Sequence, residues 1–142
     1  MAEVSFYTNV ADRLPYVCRL LRKAQLSGAR VGVLGPPAML ERLDAALWTF
    51  EPTEFVPHVR VADAPLRPAL QRTPVVLAER VESIPHRHML LNLGSDLPPA
   101  FDTFERVLEV VSRDEQQVQA GRMRFKRYRE LGCQVSHHVV SD

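Results

Sequence analysis

Arg30-Val31-Gly32-Val33-Leu34, followed at once by Gly35-Pro36-Pro37, sets the reading of this chain. The run is too short for a helix and too continuous for a strand with one wet face, so it predicts a central strand covered on both sides. Upstream, Val4-Ser5-Phe6-Tyr7 alternates as a strand. It passes through Thr8-Asn9 into a segment whose Leu14, Val17, Cys18 and Leu21 recur at helical spacing. Pro15 falls in the first turn, where a missing donor costs little, and Gly28 stands where a left-handed cap ends the helix. Downstream, Pro37 opens a helix from Ala38 to Trp48 with Leu40, Leu43 and Leu47 on one face. The order so far is βαβα.

Residues Glu51 to Pro74 hold Pro52, Pro57, Pro65, Pro68 and Pro74, which predicts an irregular stretch around one short extended piece at Phe55-Val56. Val75-Val76-Leu77-Ala78 and Met89-Leu90-Leu91-Asn92-Leu93 read as two more buried strands. Phe101, Phe104, Leu108 and Val111 then mark a third helix. A fourth runs from Arg113 to Leu131 and ends at Gly132, and Val135 to Val140 supplies a late strand. Strands rich in Val and Leu that alternate with helices define an α/β three-layer domain with a largely parallel central sheet. At 142 residues, 46% of them hydrophobic, the chain has the material for one core, so 1–142 is read as a single domain.

Several function classes lose support at this stage. With 18 Lys and Arg against 17 Asp and Glu, the chain lacks the overall basicity of a protein that lives on nucleic acid backbone. No apolar run approaches the ~20 residues that cross a bilayer, and the opening MAEVSFYTN lacks a signal-peptide layout, so a cytoplasmic location is expected. Cys18 and Cys133 form no CxxC and read as buried thiols. A dinucleotide loop needs glycines where backbone meets pyrophosphate, but the Gly32 to Pro37 turn ends in two prolines that delete the required amides. His86 and His88 would share one side of a strand without a third ligand, and His137-His138 read as solvated. No cofactor, metal or catalytic residue is therefore expected.

Two segments have the character of contact surfaces. In RDEQQVQAGRMRFKRYRELG (113–132), Val118, Gly121, Phe125, Tyr128 and Gly132 line one helical stripe. Taking Phe125 as zero, Arg129, Arg122 and Lys126 fall at roughly +40°, +60° and +100°, a basic flank beside an apolar stripe, while Arg124 and Arg127 point elsewhere. Guanidinium groups edging an apolar pocket suit a ligand that is both acidic and hydrophobic, such as a short acidic peptide ending in a bulky residue. The bland reading is a surface helix whose last-turn arginines complement its dipole. Direct binding of single-stranded DNA by this helix is a further alternative. The second segment runs from Leu43 through Trp48 and Phe55 to His58; Trp48 lies at the edge of its helix's buried face and is either part of a satellite core or an interface anchor.

The same residues carry a resemblance. Leu43-Asp44-x-Ala-Leu47-Trp48, then Phe55-Val56-Pro57-His58, with Phe6-Tyr7 near the start and Arg124-Phe125-Lys126-x-Tyr128-Arg129-x-x-Gly132 near the end, resembles the chi subunit of bacterial DNA polymerase III holoenzyme. The resemblance implies a Rossmann-like fold without a nucleotide-binding loop, and a non-enzymatic adaptor of the clamp-loader complex. It implies two partners: the psi subunit, and the acidic C-terminal tail of single-stranded DNA-binding protein, so that nucleic acid is contacted indirectly. On the psi side it points to Trp48, Phe55, Val56, Pro57 and His58. On the tail side it points to Val111, Val118, Arg122, Phe125, Lys126 and Arg129. Where family members can carry a lysine one turn before Arg122, this chain has Val118.

Overall fold

The computed structural model describes residues 2–49, 55–61 and 66–141. Among the described residues, seven strands form one sheet: β1 Glu3–Val10, β2 Val31–Leu34, β3 His58–Val61, β4 Val75–Ala78, β5 Met89–Asn92, β6 Arg106–Ser112 and β7 Gln134–Val139. Their order across the sheet is β3-β4-β2-β5-β6-β1-β7. Every described pairing is parallel. The helices are α1 Arg13–Leu26, α2 Pro37–Thr49 and α3 Glu115–Glu130.

The Val31-to-Leu34 run is a central strand, paired with β4 on one side and β5 on the other, and all four of its residues are buried. Gly32 leaves room for Ile84 there: a Cβ would meet Ile84 Cδ1 at 2.6 Å and Cγ2 at 2.7 Å, so that side chain would have to move. α1 and α2 pack together over one face, burying Val17, Leu21, Leu40, Leu43 and Leu47 against Val33, Leu77, Leu91 and Val110. α3 covers the other face above β6 and β7, where Phe6, Leu90, Val107, Val111 and Tyr128 form a second core. The result is three layers. Asp12 caps α1 through the Leu14 N–H and Asp114 caps α3 through the Gln117 N–H. Gly28 and Gly132 take the left-handed conformation, with φ of 86° and 87°, just past the ends of α1 and α3.

One expected element is corrected. The helix expected through Phe101, Phe104, Leu108 and Val111 is instead a single 3₁₀ turn, Phe101–Thr103, followed by β6. The apolar spacing matched a helix by coincidence. A strand sandwiched between helix layers hides both faces, so its apolar residues carry no period, and the β-branched Val107, Val110 and Val111 favour extended backbone. The short extended piece expected at Phe55-Val56 begins three residues after Phe55, at His58. Residues 50–54 and 62–65, which include parts of the stretch from Glu51 to Pro74 read as irregular, lie outside the described residues.

Candidate functional site

β1, β6 and β7 deliver their carboxyl ends beneath the first half of α3, and a hollow of about 480 Å³ opens there. Its apolar lining comes from Phe6 of β1, Val111 of β6, and Val118, Gly121 and Phe125 of α3. Gly121 sets the depth: a Cβ there would sit 3.0 Å from Val111 Cγ2, so glycine lets α3 settle close to β6. Phe125 leans edge-on against Phe6, with ring centroids 5.2 Å apart. The polar rim is made by Thr8, Asn9, Ser112, Arg113, Arg122 and His137. Asn9 adopts φ 63°, and its amide holds both sides of the rim: Oδ1 accepts from Arg113 Nε at 3.0 Å and Nδ2 donates to the Val140 carbonyl at 3.0 Å. The His137 ring shares a 2.6 Å hydrogen bond with the Thr8 hydroxyl.

Of the six residues read from α3 and β6, Val111, Val118, Arg122 and Phe125 line this hollow together. Arg129 lies beside it, its guanidinium carbon 6.0 Å from the Phe125 ring centre. Lys126 is not in the lining: its side chain is 82% exposed, with its ammonium 4.0 Å from Glu130. Phe6, Thr8, Asn9, Ser112, Arg113 and His137 were missed as site residues. The available signal was topological, since parallel sheets present their ligand-binding crevices at the carboxyl ends of the strands.

The seat of α3 rests on a buried ion pair that sequence reading did not find. Glu109, in the middle of β6, is fully buried. Its Oε1 accepts from Arg124 Nε at 3.1 Å and Nη2 at 3.0 Å; its Oε2 accepts from the Tyr128 hydroxyl at 2.7 Å and Asn92 Nδ2 at 3.0 Å. Burial pushes the Glu109 carboxyl up from its ordinary range, and the Arg124 charge with the Asn92, Tyr128 and Arg124 donors pulls it back. Arg124, placed off the basic flank by its helical angle, is turned inward, where Nη1 also donates to the Ser95 carbonyl at 2.9 Å.

The second surface lies at the opposite edge of the sheet, where α2 ends and β3 begins. Trp48 is 64% exposed and Phe55 48%, with ring centroids 5.1 Å apart. Their neighbours are placed differently. Val56 is buried in the core, so it anchors the segment and offers no outer contact; this corrects its reading as a contact residue. Pro57 is half-buried. The His58 side chain is 1% exposed, under the two aromatic rings and hydrogen-bonded to Asp44 and Val56.

At the carboxyl ends of β2 and β5, a shallower hollow of about 350 Å³ includes Gly35, Pro36, Pro37, Asn92 and Gly94. The two prolines there supply no amide to a phosphate. His86 and His88 each accept a backbone N–H through Nδ1, from His88 and Arg30 respectively. No group of three or more metal-ligating side chains occurs among the described residues. No helix among them is long and apolar enough to cross a membrane.

An all-parallel α/β sheet between helix layers, with a basic-rimmed apolar groove at one edge and an exposed aromatic pair at the other, is a Rossmann-like domain. A family model described as DNA polymerase III chi subunit, HolC, matches residues 1–136. The chain is 32% identical over 146 residues to the DNA polymerase III subunit chi of Pseudomonas aeruginosa, covering 97% of this chain and 96% of that protein. It is 27% identical over 125 residues to the subunit of the same name from Haemophilus influenzae, covering 87% and 84%. The chain belongs to the DNA polymerase III chi subunit family, and with it to the machinery of DNA replication.

Proposed function

We propose that the protein is a non-catalytic adaptor that binds the acidic C-terminal tail of single-stranded DNA-binding protein in the α3 groove and a psi-type subunit of the clamp loader on the Trp48 surface. The observation that carries the tail reading is one hollow of about 480 Å³ combining an apolar lining with Arg122 and Arg113 at its rim. In this reading the terminal aromatic of the tail enters beside Val111, Val118 and Phe125, displacing water from apolar surface. Arg122 holds carboxylates of the tail through charge-assisted hydrogen bonds, and Arg129 and Lys126 attract it from the outer flank. Binding is weak per site and its ionic part is salt-sensitive, and several tails on one DNA-coating oligomer raise the effective concentration. On the other edge, Trp48 and Phe55 are the anchors, supported by Val56, Pro57 and His58.

Titration with an acidic peptide ending in Asp-Phe tests the reading directly. Wild type binds it, and Arg122→Ala weakens it about tenfold, the loss expected of one charge-assisted hydrogen bond. Equal affinity in the variant removes the role given to Arg122. The alternative, direct binding of single-stranded DNA, is tested by titrating an oligonucleotide without any protein partner near physiological salt; the adaptor reading expects negligible binding.

A further inference from the structure

The pair of motifs that brackets the second surface, Leu43-Asp44-x-Ala-Leu47-Trp48 and Phe55-Val56-Pro57-His58, is joined by a contact that neither aromatic makes. His58 Nε2 lies 2.8 Å from Asp44 Oδ1, and its Nδ1 lies 2.7 Å from the Val56 carbonyl oxygen. A carboxylate and a carbonyl are both acceptors, so each ring nitrogen must bring a proton; a neutral imidazole has only one. The Asp44 carboxylate lies 2.8 Å away and the His58 side chain is only 1% exposed, so both partners are held against the ring out of water. The ring lies against both aromatics, 5.1 Å from the Trp48 centroid and 5.8 Å from that of Phe55.

Asp44 belongs to α2, one helical turn before Trp48, whereas Val56 belongs to the segment that carries Phe55. The His58 ring therefore ties the two pieces of backbone that bring Trp48 and Phe55 within 5.1 Å of each other. We infer that Asp44 and a doubly protonated His58 form a clamp that sets the exposed Trp48–Phe55 surface, both acting as positioning residues for the partner that docks there. His58 thus serves that surface from beneath it. The partner's identity rests on the function proposed above; the clamp does not.

Two measurements on the full chain need no partner. Long-range proton–nitrogen NMR near neutral pH shows both His58 ring nitrogens carrying hydrogen, and a bare nitrogen overturns the inference. Trp48 is the sole tryptophan, so its emission reports on the ring beneath it: Asp44→Ala changes that emission, and an unchanged spectrum overturns the clamp. With a psi-type subunit, Asp44→Ala lowers affinity about tenfold while acidic-peptide affinity stays within twofold. Asp44→Asn, whose amide can pair with a neutral His58, recovers most of the loss. Wild-type partner affinity in Asp44→Ala overturns the positioning role. If Trp48→Ala leaves partner affinity unchanged, the reading of the surface falls, and the nitrogen and emission results still decide the clamp.

Discussion

Val118 lines the groove one helical turn before Arg122, at a position where a cation would face the acidic peptide proposed to bind there. A lysine can keep its stem along the apolar wall and its ammonium in water, so the site tolerates the exchange. Val118→Lys is expected to tighten binding of an acidic peptide several-fold at low ionic strength, with the gain shrinking near 1 M salt, where the Debye length falls to about 3 Å. Calorimetric titration at two salt concentrations checks it. His86 supports a second expectation at this scale. Burial, with Arg30, His88 and Arg87 nearby, pushes its ring down from 6.5 to about 4. The unfolded chain takes up that proton near 6.5 while the folded chain refuses it until about 4, so His86 contributes stability above 6.5 that is lost as the pH falls towards 4. His86→Gln removes this part. Its urea midpoint should drop less than that of wild type between about pH 7 and about pH 5.

At the scale of elements, α3 decides the groove and β6 decides α3. Arg124 and Tyr128 pin the helix to Glu109, and Gly121 sets how closely it approaches Val111. Arg124→Ala leaves a buried carboxylate without its charge partner, a loss of about 3 to 5 kcal/mol. The double variant Glu109→Leu with Arg124→Met should cost less, because no orphaned charge remains and the penalty falls to the neutral Tyr128 and Asn92 donors that lose this acceptor. Urea denaturation of both variants checks the ordering. Gly121→Val drives side-chain atoms into Val111, so α3 must lift; a loss of about 1 to 3 kcal/mol and a sharp fall in acidic-peptide affinity are expected. The basic flank and apolar stripe of α3 were legible because both follow from the helical repeat within one segment. β6 was not, because a strand covered on both faces shows no alternation and Glu109 interrupts its apolar run.

For the molecule as a whole, the two surfaces lie at opposite edges of a seven-stranded sheet and share no residue. Changes at distant sites without common partners add, so Trp48→Ala with Arg122→Ala should lose partner and peptide binding independently, each to the extent of the single variant. Parallel titrations of the four proteins with each ligand check it; peptide affinity that falls in Trp48→Ala would couple the edges. Such separation lets one small domain hold two partners at once, as the adaptor reading requires.

What the chain order alone decides is local: the doubly covered Val31-to-Leu34 strand, the helices with their caps, the prolines that strip phosphate-binding amides from the turn after β2, and the cations along one flank of α3. Each depends on neighbours within a few residues, through side-chain periodicity and backbone restriction. Folding alone decides the rest. The groove needs Thr8 and Asn9 beside Val111, Arg122 and His137, His58 reaches back to Asp44, and Arg124 finds Glu109. These partners are brought together by sheet order and layer packing, and no spacing in the sequence specifies which strand edge will lie under which helix.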